Sequence, residues 1–122
     1  MAAKELLGLG SLANHEIAAI DNFVGKITKL FGDGIVKVIL YGSKARGNAR
    51  FDSDIDLLVI LKQDDYRMRK AILQSAAKTS LDFDILLSIM AMSEVRWQEH
   101  QGLSIYTNIQ KEGIPIEIKT VT

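Results

Sequence analysis

The chain has no cysteine and a single proline among its 122 residues. Without cysteine it can form neither disulfide bridges nor thiolate metal sites, which agrees with a reducing compartment, so we expect a cytoplasmic protein. No apolar run approaches the roughly 18 residues that a membrane-spanning helix needs. The first residues include an early glutamate and no apolar leader, so we expect neither a signal peptide nor a membrane partner.

The chain also lacks net charge, because 15 basic residues balance 15 acidic ones. A neutral chain has no bulk attraction to the phosphate backbone, and no basic stripe stands out along the sequence. We therefore expect neither a nucleic-acid partner nor a template-reading polymerase. With 48% apolar residues, the chain can still bury a small core.

Length and pattern predict one α/β (α+β) domain over residues 1–122, with a frayed start over residues 1–10. Apolar residues at helical or alternating spacing predict a small mixed sheet of about three to five strands with helices packed on it. The predicted helices cover residues 14–31, 65–78, 94–101 and 105–112. The predicted strands cover residues 36–41, 54–61 and 80–87, with an edge strand at 114–118.

A turn at Gly42 and Ser43 follows the first predicted strand directly. Glycine allows a sharp turn and a close approach of a ligand to the backbone. Ser43 stands where a helix N-cap belongs, and the free N–H groups of a helix start suit a phosphate. Lys44 and Arg46 follow in the same turn and could contact phosphate or simply face solvent. The turn predicts a cradle for a nucleoside triphosphate.

Two aspartates, Asp54 and Asp56, stand at the start of the next predicted strand. Residues two apart in a strand project from the same face, so the two carboxylates point together. Ionised carboxylates side by side repel unless a cation lies between them, and oxygen-only ligands favour a hard ion such as Mg²⁺. Asp56 also lies within an apolar run, where a carboxylate is costly unless something binds it. The pair therefore predicts a metal site.

A site with two metal ions usually needs a third acid. The candidates are Asp84, which directly precedes an apolar run as Asp56 does, and Asp82 two residues earlier. Asp84 is the preferred prediction and Asp82 the alternative.

Two other motifs are excluded by their missing residues. An EF-hand loop starting at Asp52 would need glycine at Leu57 and glutamate at Gln63. A P-loop from Gly42 to Gly47 would continue with lysine and serine or threonine, whereas Asn48 and Ala49 follow.

Together, GSKARG at residues 42–47 and SDIDLLV at residues 53–59 resemble the signature of the polymerase-β-like nucleotidyltransferase superfamily. The extended motif is closest to its smallest members, the minimal nucleotidyltransferases of bacteria and archaea. The segment IYTNIQKEGI at residues 105–114 resembles the tail of those proteins. The resemblance covers about residues 20–118.

The resemblance implies transfer of AMP from ATP, with two Mg²⁺ ions, to a tyrosine hydroxyl of a HEPN-domain toxin. The chain would then act as the antitoxin and form a hetero-oligomer with that toxin. Carried over by position, Gly42 and Ser43 would hold the triphosphate, with Lys44 and Arg46 beside it. Asp54, Asp56 and Asp84 would bind metal, and Asp84 could also accept the proton of the attacking hydroxyl.

Two alternatives stay open at this point. The chain could be a small-molecule adenylyltransferase resembling the aminoglycoside enzymes, although it lacks the further helical domain that those enzymes carry. It could instead be a non-catalytic antitoxin that neutralises its partner by occlusion, although occlusion alone would not require Asp54 and Asp56.

Overall fold

A computed structural model describes residues 12–47, 50 and 53–118 of the chain. The predicted frayed segment at residues 1–10 lies outside the described residues. The described part contains five α-helices, one turn of 3-10 helix (Gly32–Gly34) and four strands. The helices are α1 (Asn14–Phe31), α2 (Ser43–Arg46), α3 (Tyr66–Phe83), α4 (Glu94–Glu99) and α5 (Ser104–Glu112). The strands are β1 (Ile35–Tyr41), β2 (Ile55–Leu61), β3 (Leu87–Ser93) and β4 (Ile114–Ile116).

The four strands form one mixed sheet in the order β3-β2-β1-β4. β1 pairs antiparallel with both β2 and β4, whereas β2 and β3 run parallel on either side of the α3 crossover. The end of β1 and the starts of β2 and β3 therefore meet at one end of the sheet. The mixed α/β architecture predicted from the sequence is confirmed.

Alternate residues of β2 enter two different apolar clusters on the two faces of the sheet. Ile55, Leu57 and Val59 join a large cluster with residues of α1 and α3. Leu58 and Ile60 join a smaller cluster with residues of β3, α4 and α5. Because β2 is covered on both faces, its sequence is almost continuously apolar.

Helix α1 forms because its apolar residues recur on one side, where Ile20, Phe23 and Ile27 are buried against the sheet. It ends at Gly32, whose positive φ of 53° few other residues adopt readily. Asp65 is the N-cap of helix α3, and its side chain accepts hydrogen bonds from the backbone N–H groups of Arg67 and Met68. The sequence interpretation placed this cap one residue earlier, at Asp64.

The predicted third strand at residues 80–87 is wrong. These residues complete α3, which runs to Phe83, and β3 begins only at Leu87. Helical hydrogen bonding continues to the end of α3, where Asp84 adopts a left-handed conformation with φ 52°. The Ser80 hydroxyl donates to the Ala76 carbonyl and accepts from the Leu87 N–H, so it joins the helix end to the new strand.

The remaining boundaries differ only slightly from the predictions. β2 begins at Ile55 rather than at residue 54, and β4 ends at Ile116 rather than at residue 118. Ser93 caps α4 as predicted, since its hydroxyl accepts from the Arg96 N–H. α5 begins at Ser104 itself, with Leu103 in the cap position. None of the helices in the described part of the chain is long and apolar enough to span a membrane.

Candidate active site

The turn after β1 has a backbone shape that requires glycine. Gly42 has φ 78° and ψ −158°, a region of conformational space that is essentially restricted to glycine. Gly42 is the N-cap of α2, and Ser43 is its first residue rather than the cap. The Gly42 carbonyl accepts from the Arg46 N–H, and Gly47 ends the helix in a left-handed conformation. The first N–H groups of this short helix have no partner within it.

Asp56 lies directly beside this turn. It pairs with Tyr41 across β1 and β2, and with Ser88 across β2 and β3. Because side chains alternate along a strand, Asp56 faces the same side as Leu58 and Ile60, away from α1 and α3. Asp54 precedes β2 by one residue and is exposed. The carboxylate pair therefore sits at the end of the sheet, on its small-cluster face.

The absence of a side chain at Gly42 makes room for the Asp56 carboxylate. A Cβ atom added at Gly42 would collide with an oxygen of Asp56 and lie 3.2 Å from its Cγ. A larger residue would therefore displace the carboxylate, in addition to straining the backbone. The turn and the second aspartate of the pair are therefore sterically coupled through Gly42 and Asp56.

The fold raises the pKa of Asp56 above its ordinary value. The main cause is desolvation of the carboxylate, and the negative charge of Asp54 raises the pKa further. The positive charge of Arg46 lowers it. Desolvation also raises the pKa of Tyr41, with smaller contributions from Asp56 and Tyr106. Both shifts indicate that negative charge is poorly compensated here by the chain's own groups.

The raised pKa of Asp56 has a consequence for stability. Because the fold favours protonated Asp56, the stability that this group contributes is present below the unfolded pKa, ordinarily 3.8, and lost as pH rises through the folded value. Ionised Asp56 therefore destabilises the metal-free protein at pH 7. We expect Asp56→Asn to raise the melting temperature there by roughly 1–3 °C.

Thermal melts in the presence of a chelator, at pH 7 and at the lowest pH the fold tolerates, test this expectation. The difference between wild type and Asp56→Asn should shrink as the pH falls. An equal or lower melting temperature for Asp56→Asn at pH 7 would contradict it.

Arg46 lies between the carboxylate pair and α5. Its guanidinium forms a half-exposed ion pair with Glu112, with 3.6 Å between Nη1 and Oε2, and it also acts electrostatically on Asp56. Such an exposed pair contributes little to stability. The Arg46 side chain is therefore accessible to an anionic ligand, and its contact with phosphate stays a prediction.

A cavity of about 450 Å³ opens beside the turn, between the end of β1, α2 and α5. Its lining includes Tyr41, Gly42 and Arg46 on one side and Asn108 and Glu112 on the other. The volume is in the range of small-molecule sites, and an apolar wall with a few polar groups is typical of them. The cavity adjoins Asp56 through Tyr41 and Gly42.

Lys44 lies elsewhere. Its side chain is buried, and its ammonium group forms an ion pair with Glu16 of α1 at 2.9 Å, with side-chain exposures of 1% and 6%. The same ammonium donates to the Arg50 carbonyl at 3.3 Å. Glu16 also accepts from the Ala13 N–H, at the start of α1. Lys44 thus joins the turn, α1 and the segment before the aspartates. Because its ammonium group is engaged in these buried contacts, Lys44 is not assigned a contact with phosphate.

The structure does not bring the predicted third acid to the pair. Asp84 is exposed at the end of α3, and Asp82 forms an exposed ion pair with Lys78 at 3.1 Å. Within residues 12–47, 50 and 53–118, no three histidine, cysteine or acidic side chains lie close enough to hold a metal ion together. Ser88 is the β3 residue in register with Asp56.

The donors of the site nevertheless suit Mg²⁺. Asp54 and Asp56 supply only oxygen ligands, and Mg²⁺ is usually held by one or two carboxylates together with substrate phosphates. The Asp56 carboxylate is partly exposed, and a cation bound to it would offset the desolvation and the Asp54 charge that raise its pKa.

Sequence reasoning missed several residues around the site. Tyr41, Asn108 and Glu112 line the cavity, and Ser88 neighbours Asp56. Only Tyr41 carried a signal, because it directly precedes the glycine turn. The others come from α5 and β3, and their proximity depends on tertiary packing.

Comparison with known proteins identifies the family. A family model described as "Polymerase beta, Nucleotidyltransferase" matches residues 25–116. "Putative protein adenylyltransferase MJ0604" of Methanocaldococcus jannaschii is 30% identical over 100 residues, covering 81% of this chain and 95% of that protein. "Putative protein adenylyltransferase MJ0141" of the same organism is 36% identical over 73 residues, covering 59% of this chain and 74% of that protein.

A solved structure shares the fold. It is described as "Crystal structure of the toxin-antitoxin with AMP-PNP", superimposes with a TM-score of 0.53 and is 18% identical, covering 81% of this chain and 73% of that chain. The family match spans the turn, the aspartate pair and all four strands. This chain therefore belongs to the polymerase-β nucleotidyltransferase family and is a nucleotidyltransferase.

Proposed function

We propose that the chain transfers AMP from ATP, with Mg²⁺, to a tyrosine hydroxyl of a HEPN-domain toxin and thereby acts as its antitoxin. The observation that carries the proposal is the placement of Asp54 and Asp56 beside the glycine-only turn at Gly42. Two relatives named as protein adenylyltransferases support a protein acceptor. The toxin–antitoxin neighbour supports a toxin partner, and the HEPN and tyrosine assignments follow from the motif resemblance.

In the proposed reaction, the acceptor oxygen attacks the α-phosphorus of ATP. A new bond forms between the acceptor oxygen and the α-phosphorus. The bond between the α-phosphorus and the oxygen that bridges it to the β-phosphorus breaks, so pyrophosphate leaves, and the hydroxyl proton is released. Mg²⁺, when bound, would neutralise phosphate charge and orient the triphosphate. Asp54 and Asp56 would hold it, and the backbone N–H groups after Gly42 would receive phosphate oxygens.

Arg46 and the cavity would complete the nucleotide site. Once its ion pair with Glu112 breaks, the Arg46 guanidinium can donate two hydrogen bonds to a phosphate group of the ligand. The cavity beside it has room for part of a nucleotide. Two carboxylates suit one Mg²⁺ ion shared with phosphates, so a second ion depends on the predicted third acid, Asp84 or Asp82.

The proposal is tested by intact-mass spectrometry of the protein encoded by the adjacent gene, as the candidate HEPN partner, after incubation with this chain, ATP and MgCl₂. We expect the partner to gain one or more AMP groups. The gain should disappear with a chelator and with the Asp54→Asn, Asp56→Asn double variant. Peptide mapping should place the modification on tyrosine.

Asp33→Asn is the matched control, since the Asp33 side chain is 92% exposed and lies before β1, at the opposite end of that strand from the turn. It should transfer AMP at the wild-type rate. If a stable complex forms without any mass gain, and the double variant still neutralises the toxin, the chain acts by occlusion. If instead a small hydroxylated compound such as an aminoglycoside gains AMP while the partner does not, the acceptor is a small molecule.

A further inference from the structure

The two edges of the sheet differ sharply in their protection. At one edge, β4 has only three residues, with Pro115 at its centre. Short length and proline are both features that prevent an edge strand from pairing with another chain. At the other edge, β3 has seven residues, LSIMAMS, without a charge or a proline, although 25% of the whole chain is charged. Among residues 12–47, 50 and 53–118, no strand pairs with the outer side of β3, so this edge offers a template for a further strand.

An apolar groove runs beside this open edge. It has a volume of about 420 Å³, lies between α3 and β3, and is lined mainly by leucine, alanine and isoleucine side chains. Leu73, Leu81 and Leu86 in its lining are 51%, 83% and 55% exposed. Large apolar side chains that are grouped in this way mark an interaction surface more often than singly scattered ones do.

The exposed stripe of α3 is symmetric about Ala77. Leu73 and Leu81 lie four residues before and after it, and exposed Lys70 and Asp84 lie seven residues before and after it. These spacings place Lys70, Leu73, Ala77 and Leu81 on one side of the helix, and Asp84 follows its last turn as the C-cap residue. If a second copy of α3 packs antiparallel, Leu73 meets Leu81 and Lys70 meets Asp84, each twice. The stripe is thus complementary to itself in both shape and charge, as an isologous contact requires.

The two-fold axis that relates the two α3 helices can also relate the two β3 strands. The Ser80 hydroxyl accepts from the Leu87 N–H, so the start of β3 lies at about the level of Ser80. Ala77 lies three residues before Ser80, which is about 4.5 Å along the helix at 1.5 Å per residue. The same distance along β3, at about 3.3 Å per residue, reaches the level of Ser88 and Ile89. One axis can therefore pass beside Ala77 and through the first half of β3.

We propose that two copies of this chain pair through β3 and the symmetric stripe of α3, forming a two-fold dimer with a continuous eight-stranded sheet. The two β3 strands pair antiparallel, and the two α3 helices pack side by side on the large-cluster face. Asp56 faces the opposite side of the sheet, so the dimer leaves the nucleotidyl-transfer site open on both copies. This proposal does not depend on which acceptor the enzyme uses.

The test is the mass of the unmodified full chain by light scattering and sedimentation, between about 1 and 200 µM. We expect twice the mass of one chain at the upper concentrations. Ala77→Glu places two carboxylates face to face at the axis and should raise the dimer dissociation constant at least about tenfold. Because Ala77 is exposed, this variant should keep its fold, which circular dichroism checks.

Charge exchange tests the alignment of the helices. Lys70→Glu and Asp84→Lys should each weaken the dimer, and the double variant should restore it. Lys78→Glu is the matched control, because it makes the same charge change on α3 outside the stripe and should leave the dimer intact. A single-chain mass at every concentration would overturn the proposal. A dimer that is unaffected by Ala77→Glu and by both single charge reversals would overturn it as well.

Discussion

Asp56→Asn will abolish nucleotidyl transfer while leaving the protein folded. The Asp56 carboxylate lies against Gly42, and Asp56 belongs to β2, where it pairs with the last residue of β1. A metal ion at such a site supplies several kcal/mol of charge stabilisation in the transition state. Losing it corresponds to a rate decrease of at least about 100-fold. The measurement is the initial rate of AMP incorporation into the acceptor at saturating ATP and Mg²⁺.

The fold must be shown to survive this substitution. The melting temperature of Asp56→Asn without metal provides that check, because it should equal or exceed the wild-type value. A variant that melts lower and transfers slowly would show only damage to the fold. A variant that is stable and still transfers at a wild-type rate would remove Asp56 from the proposed mechanism.

Asp84→Asn provides the informative comparison. Asp84 caps the end of α3 and is exposed, so we expect a much smaller loss of transfer than in Asp56→Asn. An equally large loss would instead support the sequence-based prediction that Asp84 is the third acid, and Asp82→Asn would test the alternative. That outcome would also require the end of α3 to rearrange when substrate binds.

Lys44→Met will destabilise the protein strongly. The substitution leaves the carboxylate of Glu16 buried without its ammonium partner and removes a donor from the Arg50 carbonyl. Breaking one side of a buried ion pair typically costs about 3–5 kcal/mol of unfolding free energy. Since small domains are stable by only about 5–15 kcal/mol, this is a large fraction of the total. Urea unfolding at fixed pH measures the change.

Two variants separate the buried pair from general effects of losing a lysine. Lys62→Met removes an exposed ion pair with Asp33, 3.8 Å between Nζ and Oδ2, and should change the unfolding free energy by less than about 0.5 kcal/mol. Glu16→Gln with Lys44→Met removes both charges, keeps an acceptor for the Ala13 N–H and should recover most of the lost stability. If Lys44→Met is as stable as Lys62→Met but binds ATP weakly, Lys44 contacts phosphate as the sequence predicts.

The stretch from residue 40 to 59 shows how much local sequence can predict. A β-branched run, a glycine turn and two acids at strand spacing are each governed by backbone geometry and side-chain alternation. The structure places Gly42 against Asp56 and pairs β1 with β2 in the register that this requires. The family match then agrees with what the motif indicates.

The segment from residue 80 to 93 shows where local sequence is ambiguous. Leu81, Phe83 and the apolar run after them fit a strand pattern, yet Phe83 also continues the helical spacing of the buried Ile72, Ala76 and Thr79. Pairing with β2 decides between these alternatives, because the Ile55 N–H donates to the Leu86 carbonyl and aligns Asp56 with Ser88. A hydrogen bond between segments that are distant in the chain cannot be predicted from the local sequence pattern. The predicted strand therefore began seven residues too early.

The sequence by itself determined the glycine turn, the paired carboxylates, the family and the α/β class, since each depends on neighbours within a few residues. Only the tertiary structure decided which charged groups are buried and which face the site. Lys44 and Arg46 stand two residues apart in one short helix, yet one is buried against Glu16 and the other faces the cavity. The helical geometry turns them to different sides, and the packing of α1 and α5 fixes what each side meets.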